Sequence, residues 1–178
     1  MLYNRYVNLK SKILEIPNWP KKGVNFKDIT PLLEEPKYFK YVIDKLAEPF
    51  KNKKIDKVVG IDARGFLLAS AVAYKLNSGV AIVRKKGKLP RKTIRANYSL
   101  EYGENIIEMH RDAILRGDKI LIIDDVLATG GTARATADLV KKLGGKILGI
   151  GFLIDLKFLN NGKKLENYNV YSLISYEK

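Results

Sequence analysis

The sequence predicts an α/β fold: a twisted, mainly parallel β-sheet flanked by helices. Three observations carry that expectation. Short apolar, β-branched runs recur from residue 56 onward, helix-length segments separate them, and the strongest run, Lys119 to Ile123, leads into two adjacent carboxylates and a glycine-rich turn. Strands alternating with helices indicate βαβ units, whose crossover helices cover both faces of a parallel sheet.

The elements follow in chain order. Tyr3 to Ile13 reads as a short helix. Five of the six prolines lie in the first fifty residues, and Pro17, Pro20 and Pro31 frame an irregular segment that excludes a long helix. Lys37 to Lys51 carries Tyr38, Tyr41, Val42, Leu46 and Phe50 at helical spacing. Lys57 to Ile61 is a short β-branched strand, Phe66 to Leu76 an apolar helix, and Val80 to Val83 the next strand. A basic segment follows, from which Asn105 to His110 returns as a strand. Lys119 to Ile123 is a buried strand behind Gly117-Asp118, and Thr132 to Leu143 is a helix stopped by Gly144-Gly145. Lys146 to Ile154 and Val170 to Ile174 complete the strands.

At 178 residues, 46% hydrophobic and 29% charged, the chain suits one globular domain over residues 1–178. It has no cysteine, which excludes disulfides, thiolate catalysis and Cys-bound zinc. Met1 to Lys12 holds no apolar run of the signal-peptide kind, and no apolar stretch approaches the ~20 residues of a membrane span. The net charge of +14 points to an anionic partner. Half of it comes from Arg84, Lys85, Lys86, Lys88, Arg91, Lys92 and Arg95, a stretch without an acid. Few aromatics interleave these cations, which argues against a platform for single-stranded nucleic acid.

The sharpest motif is Lys119-Ile-Leu-Ile-Ile-Asp124-Asp125-Val-Leu-Ala128-Thr129-Gly130-Gly131-Thr132. A buried strand delivers two carboxylates to its C-terminal end, where ligands bind in open α/β sheets. The helix start beyond them presents unpaired N–H groups and a positive dipole end, which suit a phosphate. Carboxylates repel phosphate but accept hydrogen bonds from sugar hydroxyls. Asp124 and Asp125 therefore fit a ribose whose 5-phosphate lies in the following loop. Each residue alone is compatible with a capped strand–turn–helix; two ionised acids after a buried strand cost stability unless used. Neither a P-loop pattern nor a G-x-G-x-x-G run occurs.

This run resembles the phosphoribosyl diphosphate signature of type I phosphoribosyltransferases. The resemblance implies that Ala128, Thr129, Gly130, Gly131 and Thr132 hold the 5-phosphate and that Asp124 and Asp125 bind the ribose hydroxyls. Three further segments resemble the adenine-specific branch, so the likeness extends from about Ile16 to the C-terminus. Pro20-Lys-Lys-Gly-Val-Asn25-Phe26-Lys27-Asp-Ile-Thr-Pro31 matches a small N-terminal hood, about residues 1–34. There Phe26 would stack on adenine, and the backbone at Asn25 and Lys27 would read its edge; taken alone, Phe26 reads as core, and only the resemblance reverses that. Asp62-Ala63-Arg64-Gly65 is similar to the diphosphate loop, although Glu is as readily expected at Asp62. Residues 84–103 resemble the mobile catalytic loop, which implies that Arg84, Lys85 and Lys88 reach the diphosphate. Gly87 and Pro90 suit an irregular connection there.

The same likeness makes Glu101 the general acid–base residue and Leu156 the second face of the adenine slot. A packed leucine after a strand is an equal reading of Leu156. The implied reaction joins adenine to the ribose of phosphoribosyl diphosphate, giving AMP and diphosphate. Mg²⁺ would ride on the substrate's diphosphate with no direct protein ligand. The family further implies a cytoplasmic homodimer, with no part for a membrane or nucleic acid. A transferase for another purine and a nucleic-acid-binding regulator that senses phosphoribosyl diphosphate remain as alternatives. His110, the lone histidine, receives no role.

Overall fold

β-branched and apolar runs pair here because each buries both faces, leaving turns and charged residues to the strand ends. The computed structural model describes residues 7–100, 103–160 and 162–178. They form two compact units, Met1–Val42 and Ile43–Lys178.

In the first unit, β1 (Leu14–Pro17) and β2 (Asn25–Asp28) form an antiparallel hairpin in which Glu15 faces Lys27 and Ile16 faces Phe26. The prolines thus exclude a long helix but not strands: Pro17 ends an edge strand, where its missing N–H costs nothing. Pro31 stands in the first turn of α1 (Thr30–Glu34), a position that needs no intrahelical N–H. The helix expected over Tyr3 to Ile13 shrinks to one 3₁₀ turn, Leu9–Lys12, among the described residues. Its Lys12 pairs with Glu35.

The helix expected at Lys37 to Lys51 is α2 (Pro36–Ala47) followed by a 3₁₀ turn, Glu48–Phe50. The second unit is built on a seven-stranded sheet. Its members are β3 (Lys57–Ile61), β4 (Gly79–Lys85), β5 (Thr93–Leu100), β6 (Gly103–His110), β7 (Lys119–Leu127), β8 (Lys146–Leu156) and β9 (Val170–Tyr176). The spatial order is β5-β6-β4-β3-β7-β8-β9. Strands β4, β3, β7, β8 and β9 run parallel, while β6 and β5 add an antiparallel edge.

Two helices cover opposite faces. α3 (Gly65–Lys75) joins β3 to β4, and α4 (Gly131–Lys142) joins β7 to β8. Val59, Ile61, Ile120, Ile122, Ile150 and Phe152 form one core with Ala133, Ala137, Leu139 and Val140 of α4. On the other face a Cβ at Gly60 would lie 2.9 Å from Ala69 of α3, so glycine lets that helix settle close. A Cβ at Gly149 would lie 2.4 Å from Phe50, and one at Gly151 2.5 Å from Tyr171, so β8 makes room for two large rings.

The basic segment is more ordered in hydrogen bonding than an irregular connection. β4 continues to Lys85, and Thr93 to Leu100 pairs with Gly103 to His110 in register. Among the described residues of the segment, only about 86–92 lie outside strands.

Candidate active site

β3 and β7 are neighbours, yet their crossovers leave in opposite directions, β3 to β4 and β7 to β8. The carboxyl ends of two such strands flank a crevice, the ligand site of open α/β sheets. The β3–β7 pairing ends at Gly60 opposite Ile123, whereas β7 remains paired with β8 through Leu127. Asp124 and Asp125 therefore sit in a strand held on one side only. Their open side meets the 62–65 turn.

That meeting is close. Arg64 Nη2 lies 2.6 Å from Oδ2 of Asp125. The Asp125 side chain is buried, and its Oδ2 has no aligned hydrogen-bond donor, so the contact is one of charge. Asp124 Oδ1 accepts the Asp125 N–H at 2.9 Å. A Cβ at Gly65 would lie 2.6 Å from that same oxygen and 3.2 Å from Asp124 Cα, so the helix start needs glycine here. The Asp62–Ala63 peptide is cis.

Burial dominates the electrostatics. It pushes the Asp124 carboxyl well above the usual carboxylate range, the Asp125 charge adds to the rise, and Arg64 works against it. Burial raises Asp125 as well, offset in part by Arg64. Two acids held this way are poised to accept hydrogen bonds from a polyhydroxyl ligand.

Beyond the acids, Ala128 and Thr129 lead to Gly130, whose φ of +76° is left-handed and favours glycine. α4 starts immediately after, with Gly131 and Thr132 in its first turn. The free N–H groups of that turn face the strand end.

The third wall comes from β4. Arg84 Nε donates to Asp62 Oδ2 at 3.1 Å, and Arg84 Nη1 donates to the Lys88 carbonyl at 3.1 Å. Lys85, the last residue of β4, and Lys88, beyond it, are exposed. Leu156, the last residue of β8, is 8% exposed and thus mostly packed. The unit from Ile43 onward therefore brings together Asp62, Ala63, Arg64, Arg84, Asp124, Asp125 and the 128–132 loop. Glu101 lies outside the described residues.

Asn25, Phe26 and Lys27 belong to the other unit, on β2. Glu15 Oε2 lies 2.7 Å from both the Lys27 ammonium and the Asn25 amide nitrogen. The Lys27 side chain is thereby used internally. Phe26 meets Trp19 edge-on, with ring centroids 4.4 Å apart at 71°. Trp19 was not singled out by sequence; an aromatic between Pro17 and Pro20, six residues before Asn25, was the available signal.

Among the described residues no group of three or more His, Cys, Asp and Glu side chains is placed to hold a metal ion. No helix among them is long and apolar enough to cross a membrane.

Residues 28–177 match the family model of the phosphoribosyl transferase domain. The adenine phosphoribosyltransferase of Desulfosudis oleivorans is 49% identical over 171 residues, covering 96% of this chain and 99% of the relative. That of Koribacter versatilis is 52% identical, covering 96% and 94%. Among solved structures, the Rhodothermus marinus adenine phosphoribosyltransferase superposes with a TM-score of 0.90 at 48% identity, covering 94% and 96%. The Saccharomyces cerevisiae enzyme, solved with adenine and an imino-altritol bisphosphate, gives 0.86 at 39% identity, covering 92% and 95%. The chain belongs to the phosphoribosyl transferase family and, within it, to the adenine phosphoribosyltransferases, the pentosyltransferases of purine salvage that make AMP and diphosphate from adenine and phosphoribosyl diphosphate.

Proposed function

We propose that transfer takes place at the switch point between β3 and β7, with each substrate part assigned to its own element. The observation that carries this reading is the Arg64–Asp125 contact, which joins the 62–65 turn to the paired acids beside a glycine-opened helix start. The 5-phosphate takes the N–H groups of Ala128 to Thr132, and the ribose hydroxyls donate to Asp124 and Asp125. Diphosphate lies on Asp62, Ala63 and Arg64, with Arg84, Lys85 and Lys88 as further cations. Adenine is assigned to Phe26 and Leu156, its edge read by the backbone at Asn25 and Lys27.

Residues 1–178 then act as one catalytic domain, with the hood over about 1–34 and residues 84–103 closing over the reactants. Closure excludes water from a ribosyl centre that would otherwise hydrolyse. The bond from C1 of the ribose to the diphosphate oxygen breaks, and diphosphate leaves with the electron pair. N9 of adenine forms the new bond to C1 from the opposite face, and its proton passes to the Glu101 carboxylate. Arg64 and the loop cations stabilise the charge on the leaving group.

Cations on one wall and carboxylates on the next fit a magnesium diphosphate better than a protein-caged ion. When bound on the diphosphate, Mg²⁺ supplies further neutralisation of the leaving group. Leu67 and Tyr74, seven residues apart on α3, are 54% and 92% exposed, an apolar stripe suited to a second copy in a homodimer. Phosphoribosyl diphosphate is multiply charged and does not cross a membrane unaided, which supports an enzyme that works where this substrate is made, in the cytoplasm.

The test is a product assay with phosphoribosyl diphosphate, Mg²⁺ and each purine base in turn. AMP from adenine alone is expected. Nucleotide from another base instead would overturn the assignment of the hood. Binding of phosphoribosyl diphosphate without any product would favour a sensor.

A further inference from the structure

Glu108 lies on β6, outside every motif that marks the site, and it is 2% exposed. A carboxylate this deep costs several kcal/mol unless its charge is answered. Strand register answers it: Glu108 stands opposite Arg84 of β4 on one side and Arg95 of β5 on the other. Its neighbours Ile107 and Met109 point into the α4 core, so Glu108 points away from that core.

The two carboxylate oxygens have different partners. Oε1 accepts Arg95 Nε at 2.7 Å, and Oε2 accepts the Gly87 N–H at 3.0 Å. Burial alone would raise this acid, but Gly87 and Arg95 outweigh it and hold Glu108 below the usual range, in its ionised form. The next residue of the turn is held from the other side, by the Arg84 guanidinium on the Lys88 carbonyl. The same guanidinium reaches Asp62. Gly87 has a φ of +79°, which favours glycine, and the grip of Glu108 and Arg84 adds to the turn's own bonds, Lys88 N–H to the Lys85 carbonyl and Lys86 N–H to the Ile106 carbonyl.

We propose that Glu108 is a positioning residue for phosphoribosyl diphosphate: with Arg84 it clamps the backbone of Gly87 and Lys88, presenting Lys85 and Lys88 to the diphosphate in one arrangement. Glu108 itself touches no substrate. The inference rests on the reading that the turn after β4 serves the diphosphate.

The experiment is steady-state kinetics of the full-length enzyme with Glu108→Ala, Glu108→Gln, Arg95→Ala and the double variant Lys85→Ala/Lys88→Ala, each with its melting temperature. Loss of a hydrogen bond to a charged group, about 1.5–3 kcal/mol, corresponds to about 10- to 150-fold. Glu108→Ala is therefore expected to raise KM for phosphoribosyl diphosphate by about 10-fold, at the lower end of that range, and to leave KM for adenine unchanged. Glu108→Gln keeps an acceptor for the Gly87 N–H and restores most of the affinity. Arg95→Ala removes a half-exposed side chain, leaves the Gly87 bond intact and keeps the parental KM. If Glu108→Ala gives no folded enzyme, Glu108→Leu fills the space without an acceptor and replaces it in the same assay.

A parental KM for phosphoribosyl diphosphate in Glu108→Ala overturns the proposal. So does a rise in both KM values together with a fall in melting temperature, which marks a purely structural role. The lysine double variant separates the two levels. A parental KM there removes the turn from the diphosphate site altogether. A raised KM there, with a parental KM in Glu108→Ala, removes Glu108 alone.

Discussion

Arg64 and Asp125 stand 2.6 Å apart, yet the buried Oδ2 of Asp125 receives no aligned hydrogen bond. Charge holds the pair while the acceptor stays open, a combination that costs stability in the free protein. In the proposed reading the ribose hydroxyls donate to this pair of acids. Replacing Asp124 and Asp125 together by Asn removes two charged acceptors. Each bond to a charged group contributes about 1.5–3 kcal/mol, so affinity for phosphoribosyl diphosphate should fall at least about 10-fold. Calorimetric titration measures this directly, and unaltered affinity would contradict the ribose role.

The same acids set a pH dependence. Burial and the Asp125 charge push Asp124 well above its ordinary range. Once pH exceeds the unfolded value, about 4, the native state keeps a proton that the unfolded chain has released. The folded state then binds more protons than the unfolded one, so stability falls as pH rises from there through the raised value. Asp125, also raised, contributes with the same sign. Asp124→Asn should remove most of this loss. Its melting temperature should match the parent's near pH 4 and exceed it by a few degrees near pH 8. Scans of the substrate-free proteins across that range decide it: parallel curves would show that Asp124 is not a source of the instability.

Much of this site was legible because its signals are local. The run from Lys119 to Thr132 states strand, acids, turn and helix within fourteen residues, and the structure follows it closely. The extension of β7 through Asp124 and Asp125 was not legible, because it depends on β8 continuing to pair where β3 has stopped. Glu108 was hidden for a similar reason. Its partners Arg84, Gly87 and Arg95 lie 13 to 24 residues away and meet it only through the register of three strands. The basic segment read as irregular because Lys, Gly and Pro dominate its first half. Its second half, from Thr93, becomes a strand through pairing with β6, which no local propensity announces.

Glu101 carries the proton in the proposed reaction, and Glu101→Ala tests it. General acid–base groups contribute about 10²- to 10⁴-fold. Turnover should fall within that range, while the affinities for adenine and phosphoribosyl diphosphate change little, because the interaction matters mainly in the transition state. Pre-steady-state measurement of the chemical step separates this from slow product release. A chemical step of unchanged rate would remove Glu101 from the mechanism.

The hood carries its own reporter. The chain has a single tryptophan, Trp19, which is 51% exposed and meets Phe26 edge-on at 4.4 Å. A base stacking on the Phe26 ring comes within reach of the indole, so adenine should change the tryptophan emission, whereas phosphoribosyl diphosphate alone should change it less. Base–aromatic stacking contributes about 1–3 kcal/mol per base, so Phe26→Ala should raise KM for adenine by about 5- to 150-fold. KM for phosphoribosyl diphosphate should stay near the parental value, because the proposed phosphate and ribose contacts are assigned to other elements. The two readouts guard each other: emission reports proximity even where kinetics are masked by another step, and the kinetic split reports energy even where the indole is quenched by solvent. An emission indifferent to adenine, with a parental adenine KM in Phe26→Ala, would leave Phe26 as a packing partner of Trp19 and move the base site elsewhere.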